Sequence, residues 1–585
     1  MNSSSSSSYV FGKLNSLLTT VSSAATTVTS AAKETFQTVK TKLEEEKEKL
    51  VEAVLNAAKE IGPRTYVLEG LKNKKNPIYW TVGCQGSGTD AQKKVAELMQ
   101  KIAETSPDQR PDFILFLGDN FYDCGVNSPI DEVFNTQFHK VYGFNIPCFL
   151  ILGNHDYNKH KKARVKHINK LSLTLDQGRH LGLYQRAHTF VPDGVKYNAV
   201  DDLSKLFNQK TLDLKKLQQF NMPHSYYSLI PGNTEIFCLD SNYLLEDFLA
   251  YENGEKDPNK NQIAWLLKEY KEAKKAGREI HFAMHHAPFT SGKRAIHSDI
   301  IDYLDLSIMS YEEKIALLNK KLGNDTIFSH NHNELILLIL KKFGLKPDLI
   351  NAAHDHLHCI DDNPDFLVTT CGGGGGDLQT RKSFKRHPDV LLLSKYGFQA
   401  VSEKGIEIYT PKLTEKGEVE VGLHLKYDHK NREFVRELAD DDSESLRVGI
   451  LLTCYKYLKK LQDNEDVLLA AEKQKKEEKK QKKSMLTSIF SAISDASSMI
   501  LETVYPTISA EDLDCVHEFM AFFNQPKLPE YKDIIAYLIT QSENLKTKTG
   551  DFSFYNFFYD HLKQLDIDLK FIQLGFSSSF EKGLF

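Results

Sequence analysis

The sequence predicts a layered α/β or α+β domain in the middle of the chain, with mainly helical regions on both sides of it. Three observations indicate this architecture. The 585 residues exceed what one hydrophobic core usually serves, so several folded units are expected. Between about residues 75 and 437, short apolar runs alternate with helical patterns, as buried strands and their covering helices do. Most of these runs end in Gly, Asn, Asp or His, which places polar groups at strand ends, where such folds build their sites.

Composition narrows the class of protein. Hydrophobic residues make up 41% and charged residues 26%, which is typical of a folded globular chain. A net charge of −5 over this length gives no reason to expect nucleic acid as a partner. The eight cysteines form no CxxC pair and no dense framework, which predicts reduced thiols in a cytosolic protein. We expect no transmembrane segment and no secretory signal, so that any export would use a route without a cleavable signal.

Residues 1–62 are predicted to form a Ser-, Thr- and Ala-rich leader that ends in an amphipathic helix. Helical periodicity runs from about Ala31 to Ile61, and Gly62-Pro63 ends it. The apolar residues of this helix lie roughly on one stripe, namely Phe36, Val39, Leu43, Leu50 and Val54. The earlier stretch from Val10 to Val28 fits either a packed or partly disordered leader or an amphipathic helix on a membrane surface.

Seven apolar runs within the central domain, which we place at residues 75–437, are predicted to be strands. They are Ile78–Gly83, Phe113–Gly118, Cys148–Gly153, Glu235–Asp240, Ile280–Met284, Leu349–Ala353 and Phe366–Thr370. Helices are predicted at Ala91–Glu104 and Asn261–Ala276, and Tyr396–Asp428 has the pattern of strands joined by hairpins. The glycine run Gly372–Gly376 lacks the Lys-Ser/Thr of a nucleotide-binding loop, so we predict a flexible loop near the site.

Two further segments stand out by their charge. An insertion at residues 158–222 begins with NKHKKARVKHINK, which is basic and contains no acid. It is predicted either to steer an anionic substrate or to form a solvated basic helix. Residues 440–585 are predicted to be a separate helical region with coiled-coil character. Its lysine run, Lys473–Lys483, alternates with Glu477 and Glu478, which favours a solvated helix over a nucleic-acid patch.

Four short segments carry side chains that can bind metal ions. They are GDNFY at Gly118–Tyr122, GNHDY at Gly153–Tyr157, HHAP at His285–Pro288 and AHDHLH at Ala353–His358. Each directly follows a predicted strand, so carboxylate, amide, phenol and imidazole groups are expected to meet at neighbouring strand ends. This mixed nitrogen and oxygen donor set suits Fe, Zn or Mn rather than a metal bound by thiolates. Each segment alone is a weak signal, but their ordered occurrence in one domain is a strong one.

In this order the motifs resemble those of the calcineurin-like metallophosphoesterases, and within them the purple acid phosphatases. The spacing of Asp119 and Tyr122 in GDNFYDCGV is the most specific part of the resemblance. The segment TVGCQGSGTDAQKKVAELM is also similar to the family's first strand, loop and helix, and the likeness covers roughly residues 77–410. It implies a β-sandwich flanked by helices and a centre of two metal ions, divalent or of mixed valence.

The resemblance also implies a role for each matching residue. Asp119 would bridge two metal ions, one bound by Tyr122 and His356 and the other bound by Asn154, His286 and His354.

Proton transfer and phosphate binding are predicted for residues near these ligands. The resemblance implies that His155 faces the phosphate and that Asp156 orients its ring, which makes His155 the first choice for the proton donor. His297 lies near the place of a second family histidine, although its spacing is imperfect. Lys293 and Arg294 are predicted either to hold the substrate phosphate or to be exposed loop residues.

One position departs from the family pattern. Cys84 stands in the turn Gly83–Gly86, where the family has an aspartate ligand. A Cys84 thiolate could bind the metal, because a nearby cation lowers the pKa of a thiol. Alternatively Gln85, Asp90 or water takes the position, or the site is too weak for catalysis and leaves a binding protein. The other ligand positions are intact, which favours an active enzyme.

We therefore predict a metal-dependent phosphatase that hydrolyses phosphate monoesters with a hydroxide activated by two metal ions. The alternative is a catalytically weak or inactive protein of the same fold that acts through its helical flanks. A membrane-surface adaptor that uses residues 9–60 and 485–504 is a third hypothesis. The partner is predicted to be a phosphorylated substrate of unknown class, with a membrane surface or a protein as partner of the flanks. The flanks also have the composition of proteins that intracellular bacteria inject into host cells.

Overall fold

The structure, a computed structural model, describes residues 30–122, 124–157, 175–194, 196–288, 332–362, 367–379, 390–428 and 433–438. Almost all of them belong to one compact unit, Met1–Lys382 with Leu392–Leu438. The predictions for residues 1–29, for the basic start of the insertion and for residues 440–585 lie outside the described residues.

The described residues form strands in two sheets and helices on their outer sides. The strands are β1 Thr65–Leu68, β2 Tyr79–Val82, β3 Phe113–Phe116, β4 Cys148–Leu150, β5 Thr211–Leu212, β6 Phe220–Asn221, β7 Tyr227–Ile230, β8 Thr234–Cys238, β9 Glu279–Ala283, β10 Leu349–Ala352, β11 His358–Asp362, β12 Leu367–Cys371, β13 Val390–Leu393, β14 Phe398–Ser402, β15 Gly405–Leu413, β16 Val419–Asp428 and β17 Glu433–Leu438. The α-helices are α1 Ser30–Glu60, α2 Asp90–Thr105, α3 Leu175–His188, α4 Val200–Phe207, α5 Leu244–Glu252, α6 Gln262–Lys275 and α7 His332–Lys342.

Both sheets are mixed, and each contains a block of four neighbouring parallel strands. The nine-stranded sheet has the order β13-β11-β12-β10-β9-β8-β7-β1-β5, and the eight-stranded sheet has the order β17-β16-β15-β14-β2-β3-β4-β6. In the first sheet β8, β9, β10 and β12 are parallel neighbours. In the second sheet β2, β3, β4 and β6 are parallel neighbours. The carboxyl ends of several strands therefore meet at one edge of each sheet, where loops can bring polar side chains together.

The inner faces of the two sheets pack on each other through aromatic side chains. Tyr79 of β2 stacks on Phe113 of β3, and its hydroxyl lies 2.7 Å from His281 Nδ1 on β9. Phe149 of β4 contacts Tyr227 of β7, with ring centroids 6.4 Å apart. These buried contacts join one sheet to the other, so the predicted β-sandwich of an α/β protein is confirmed.

Helices cover the outer faces close to where the sequence predicts them. The predicted helix at Ala91–Glu104 is α2, in which the side chain of Thr89 caps the first turn by accepting a hydrogen bond from Gln92 N. The predicted helix at Asn261–Ala276 is α6, capped by the side chain of Asn261. Each helix buries one stripe against its sheet, because apolar residues recur at helical spacing on that stripe.

The leader helix has the predicted bounds but buries its apolar stripe at one end only. Helix α1 matches the prediction for Ala31–Ile61, and Val54 is fully buried whereas Val39 is 57% exposed. At the buried end Arg186 of α3 donates a hydrogen bond of 2.7 Å to Ala58 O. Among the described residues, no helix is long and apolar enough to cross a membrane.

The insertion contributes strands to both sheets. Its strand β5 pairs in parallel with β1, and β6 pairs in parallel with β4. Both strands have only two residues, which is too short for an apolar run to reveal. The described part of the insertion is therefore integrated into the sandwich.

Candidate metal centre

Side chains from five strand-end loops converge between the two sheets. The loops follow β2, β3 and β4 of one sheet and β9 and β10 of the other. They supply Cys84, then Asp119 and Tyr122, then Asn154, then His285 and His286, and finally His354 and His356. Apart from the half-buried Tyr122, every one of these residues is buried.

The backbone of these loops is held in conformations that non-glycine residues rarely adopt. Cys84 (φ 54°), Asp119 (φ 56°) and His354 (φ 67°) are the non-glycine residues with positive φ in the described part of the chain. Such conformations cost about 1–3 kcal/mol each and persist where surrounding contacts fix them. Close packing does so here, because a Cβ on Gly118 would lie 2.6 Å from Gly153 N. The coincidence of these three residues with the cluster is typical of a functional site.

One side of the cluster, which we call the phenol side, consists of Cys84, Tyr122 and His356 around Asp119. The Tyr122 hydroxyl lies 3.0 Å from Asp119 Oδ2 and 2.9 Å from His356 Nε2. Cys84 Sγ lies 3.8 Å from the same Asp119 oxygen. His356 Nδ1 donates to Asp377 O at 2.7 Å, which fixes its tautomer and turns Nε2 toward the cluster.

The other side, which we call the imidazole side, consists of Asn154, His285, His286 and His354. His285 Nε2 lies 3.0 Å from Asn154 Oδ1 and 3.1 Å from His354 Nδ1. It is also 3.4 Å from Asp119 Oδ2, so Asp119 is shared by both sides. The rings of His286 and His354 are 4.3 Å apart between centroids. His286 Nδ1 is 2.8 Å from Ser241 Oγ, so the ligand atom of this ring would be Nε2.

Charge and burial have opposite effects on the pKa values of Asp119 and His285, and they act in the same direction on the pKa of Tyr122. Burial alone would raise the pKa of Asp119, but the charge of His285 and its hydrogen bond hold this pKa below its usual value. Burial alone would lower the pKa of His285, but attraction to Asp119 raises it. Burial, and then the negative charge of Asp119, raise the pKa of the Tyr122 phenol. A bound cation would have the opposite effect on the phenol, because it favours the phenolate.

His155 and Asp156 differ in their surroundings. His155 is half-buried at the rim of the cluster, its backbone N–H donates to Asp119 Oδ1 at 2.9 Å, and its ring packs edge-on against Tyr122. The fully buried carboxylate of Asp156 accepts hydrogen bonds from the backbone of Gly153, Asn120 and Phe121 and from the side-chain amides of Asn120 and Gln185.

The sequence predicts that Asp156 orients the His155 ring. The hydrogen bonds of its carboxylate go instead to Gly153, Asn120, Phe121 and Gln185. Its carboxylate ties the loop after β3 to the loop after β4. Burial raises its pKa to about 6, with a further increase from the charge of Asp119.

One of the alternatives to Cys84 as a ligand does not fit the structure. Asp90 lies in the first turn of α2, where its side chain is 84% exposed and paired with Lys93. Gln85 is buried and its side-chain N–H donates to Asn120 Oδ1 at 3.0 Å, while its Oε1 atom has no hydrogen-bond partner among the described residues. Cys84 is fully buried and has its sulfur toward Asp119. Gln85 therefore stays an alternative, and Cys84 is the residue whose donor atom lies beside Asp119 and His285.

The glycine run beside the site is packed, so the prediction of a flexible loop was wrong. Gly372–Gly376 is buried, and Gly374 N and Gly376 N donate to Gly83 O and Cys84 O. A Cβ on Gly376 would lie 2.7 Å from His356 Cε1. Because these glycines have no side chains, their backbone can approach the Cys84 turn and the His356 ring closely. The packed glycine run helps to hold the Cys84 turn and His356 in position.

Sequence reasoning missed two residues of the site. His285 is the first residue of the HHAP motif, and the doublet itself was the available signal, but the resemblance assigned a role to His286 alone. Ser241 follows β8 and contacts His286, and nothing in its sequence surroundings distinguishes it. The predicted residues Lys293, Arg294 and His297 lie outside the described residues.

The donor set fits metal ions. In His285, His286 and His356, the Nδ1 atom is hydrogen-bonded to an oxygen outside the cluster. Metal-binding histidines usually have such a hydrogen bond on the ring nitrogen that does not bind the metal. The acidic and nitrogen donors form two overlapping groups, Cys84 with Asp119 and His285, and His285 with His286 and His354. Oxygen and imidazole donors with one thiol suit Fe, Zn or Mn.

Parts of this chain are similar to known phosphoesterases. The model of the calcineurin-like phosphoesterase family matches residues 88–358. Tartrate-resistant acid phosphatase type 5 of Mus musculus is 37% identical over 70 residues, which are 11% of this chain and 21% of that protein. Purple acid phosphatase 3 of Arabidopsis thaliana is 36% identical over 81 residues, 13% of this chain and 21% of that protein. The matched segment thus spans about a fifth of the length of these relatives.

A solved structure with a similar chain path is that of GAP50, described as the anchor in the inner membrane complex of Plasmodium. It is 17% identical, with a TM-score of 0.36, and the match covers 64% of this chain and 95% of that chain.

Proposed function

Because this chain carries a calcineurin-like phosphoesterase domain with purple acid phosphatase-like motifs, we propose that it is a metal-dependent phosphatase that hydrolyses phosphate monoesters. One observation carries the proposal. Asp119 Oδ2 lies within 3.0 Å of the Tyr122 hydroxyl and 3.4 Å of His285 Nε2, so a single carboxylate oxygen faces both sides of the cluster. A shared carboxylate is what a centre of two metal ions requires.

The proposed ligands follow the two sides of the cluster. Cys84, Tyr122 and His356 would hold one ion and Asn154, His286 and His354 the other, with Asp119 between them. When bound, two such ions supply Lewis-acid charge to the phosphoryl group and an activated water. Fe, Zn and Mn are the candidate metals, because each accepts imidazole and oxygen donors together.

His155 is the candidate proton donor to the leaving oxygen. Its backbone is fixed by Asp119 Oδ1 and its ring by the edge of Tyr122, while its side chain remains half-buried. It therefore stands between the buried ligands and solvent, where a substrate would enter. Alkoxides are poor leaving groups, so an imidazole N–H at this point would contribute by protonating the departing oxygen.

The test is hydrolysis of 4-nitrophenyl phosphate by the full chain supplied with Fe, Zn or Mn, compared with Asp119→Asn. Loss of the shared ligand removes charge stabilisation of several kcal/mol, which corresponds to a fall in kcat on the order of a thousandfold. Asp90→Asn is the matched control, since Asp90 is exposed and lies outside the cluster. A wild-type chain that holds no metal and shows no turnover would contradict the proposal, as would an Asp119→Asn variant of wild-type activity.

A second candidate function is binding without turnover, and the observation that favours it is Cys84 in place of a carboxylate. In this case a phosphorylated ligand would bind and remain intact, and the flanking regions would serve a partner. Retention of a phosphate ester in equilibrium dialysis, without release of inorganic phosphate from the metal-loaded chain, distinguishes this function from the first.

A further inference from the structure

His285 has a position that the predicted ligand set does not explain. Its Nε2 lies 3.0 Å from Asn154 Oδ1, 3.1 Å from His354 Nδ1 and 3.4 Å from Asp119 Oδ2. Donor atoms that each lie about 2.1 Å from one metal ion are roughly 3.0–3.4 Å from one another, depending on octahedral or tetrahedral geometry. The Nε2 atom is therefore spaced from its neighbours as a ligand of the same ion would be.

The tautomer of His285 is set by a contact outside the cluster. Its Nδ1 lies 2.8 Å from Leu117 O, and because a carbonyl oxygen can only accept, Nδ1 carries the proton. In the neutral ring Nε2 then has a lone pair directed at Asp119, Asn154 and His354. Metal-binding imidazoles are usually fixed in this way by a backbone carbonyl or a carboxylate.

The ring is also fixed in position. His285 is fully buried, and a Cβ on the neighbouring Gly118 would lie 2.8 Å from its Nδ1. His285 directly follows Met284 at the end of β9, so the sheet determines the direction of its side chain. It is the residue shared by the two donor groups, one with Cys84 and Asp119 and one with His286 and His354.

We propose that His285 is a ligand of the metal centre through Nε2, in addition to the residues that the family motifs identify. This inference rests on the proposed metal-dependent function. It gives the centre a further neutral nitrogen donor beside the position where Cys84 replaces a carboxylate. With Cys84 also a ligand, the centre would have one donor more than the family motifs provide.

The test is cobalt binding by the full chain, measured separately from hydrolysis. Metal-free protein is titrated with Co²⁺, with bound ions per chain and the visible d–d absorption as readouts. His285→Asn is the informative variant, because an asparagine amide can still donate to Leu117 O while the Nε2 atom is lost. We expect cobalt affinity to fall at least tenfold to a hundredfold and the d–d bands to change in position and intensity. His424→Asn, at a half-buried histidine that contacts Glu407, is the matched control and should leave both readouts unchanged.

A measurement on the wild type keeps the proposal testable if His285→Asn does not fold. In the proton NMR spectrum of the cobalt-loaded chain, each histidine bound through Nε2 contributes one strongly shifted, exchangeable Nδ1–H signal. His285 should contribute such a signal, and it should exchange slowly with solvent because the Nδ1–H is buried against Leu117 O.

The outcomes separate this inference from the proposed function. Wild-type protein that binds cobalt, together with a His285→Asn variant of equal affinity and identical spectrum, would exclude His285 as a ligand and leave the phosphatase proposal standing. A His285→Asn variant that binds one ion more than the wild type would show that the imidazole occupies the place of an ion, which also overturns the inference. Wild-type protein that binds no metal overturns both.

Discussion

The two sides of the candidate metal centre share Asp119 but differ in how they depart from the family pattern. On the phenol side, Tyr122 and His356 lie at hydrogen-bond distance from each other. Cys84, whose sulfur lies near Asp119, stands where the family pattern has its first carboxylate. The imidazole side keeps all its predicted ligands and adds His285 among them. In the proposed centre, one side has sulfur where the family pattern has an oxygen donor, and the other has an additional imidazole nitrogen.

The difference shows that a loop can keep its backbone form when one motif residue differs from the family pattern. The backbone at the altered residue keeps the form of a ligand loop, since Cys84 has the same left-handed conformation as Asp119. Strained loops of this kind are maintained by the contacts around them.

The largest effect is expected from Asp156→Asn, which loosens both sides together. The carboxylate accepts from Gly153 N at 2.7 Å and from Asn120 N at 2.9 Å, and so joins the loops that carry Asn154 and Asp119. An amide would turn an NH₂ group toward these donors, and breaking charged hydrogen bonds in the interior should lower the free energy of unfolding by about 2–4 kcal/mol. Chemical denaturation of the full chain measures this free energy of unfolding, with Asp90→Asn as the control. A change no larger than that of the control would exclude this bracing role.

Substitution of Cys84 tests the phenol side. If the thiolate binds metal, Cys84→Ser should lower cobalt affinity by about a hundredfold and remove the sulfur-to-cobalt charge-transfer band in the near ultraviolet. Cys84→Asp should raise affinity above the wild type, because aspartate adopts the left-handed conformation more readily than cysteine and restores a charged oxygen donor. An unchanged spectrum in Cys84→Ser would show that sulfur does not bind the metal.

Tyr122→Phe tests the same side through its colour. Ferric iron bound by a phenolate absorbs visible light, so the iron-loaded wild type should be coloured and the variant should be bleached. Iron affinity should fall by roughly thirtyfold, because the hydroxyl that lies 2.9 Å from His356 Nε2 is removed. Tyr197→Phe is the control, since that hydroxyl donates to Lys216 O outside the cluster. A colourless but active wild type with Zn or Mn would indicate that iron is not the metal on this side.

The smallest effect is expected from Ser241→Ala on the imidazole side. Ser241 Oγ lies 2.8 Å from His286 Nδ1 and fixes the ring without being one of the donors itself. Its loss should lower metal affinity by about tenfold, the lower end of what supporting hydrogen bonds contribute. Ser204→Ala is the control, because Ser204 bonds within α4 to Val200 O. An effect as large as that of a direct ligand would mean that His286 depends on Ser241 for its position.

The sequence alone predicted much of the fold because the buried strands leave a clear signal. The run Phe113–Gly118 is apolar up to its final glycine, and Ile280–Met284 is apolar apart from His281, since strands between parallel neighbours are covered on both faces. Helices α2 and α6 were located to within a residue or two by their periodicity and caps. The two-residue strands β5 and β6 were missed because pairing with a neighbour, and no local pattern, defines them.

The residues of the candidate site likewise include some with a local sequence signal and others that only contacts between distant residues reveal. The order and spacing of Asp119, Tyr122, Asn154, His286 and His354 identify a candidate centre from residue identity alone, because reactive groups at strand ends occur in short, recognisable motifs. The distances that bring His285 into the cluster connect residues 131 and 69 positions apart in the chain. No local pattern encodes such contacts.

The class of fold, the kinds of donor atoms and the altered position at Cys84 follow from the sequence alone. These three features depend on residue identity and on short-range spacing, both of which can be read directly from the sequence. Which of the nearby groups reach the centre depends on the packing of the whole domain: it leaves Asp90 exposed, directs the hydrogen bonds of Asp156 to the loops after β3 and β4, and packs the glycine run against Cys84 and His356. Each of these outcomes depends on how close two loops of different strands approach, and that distance is set by the packing of the two sheets.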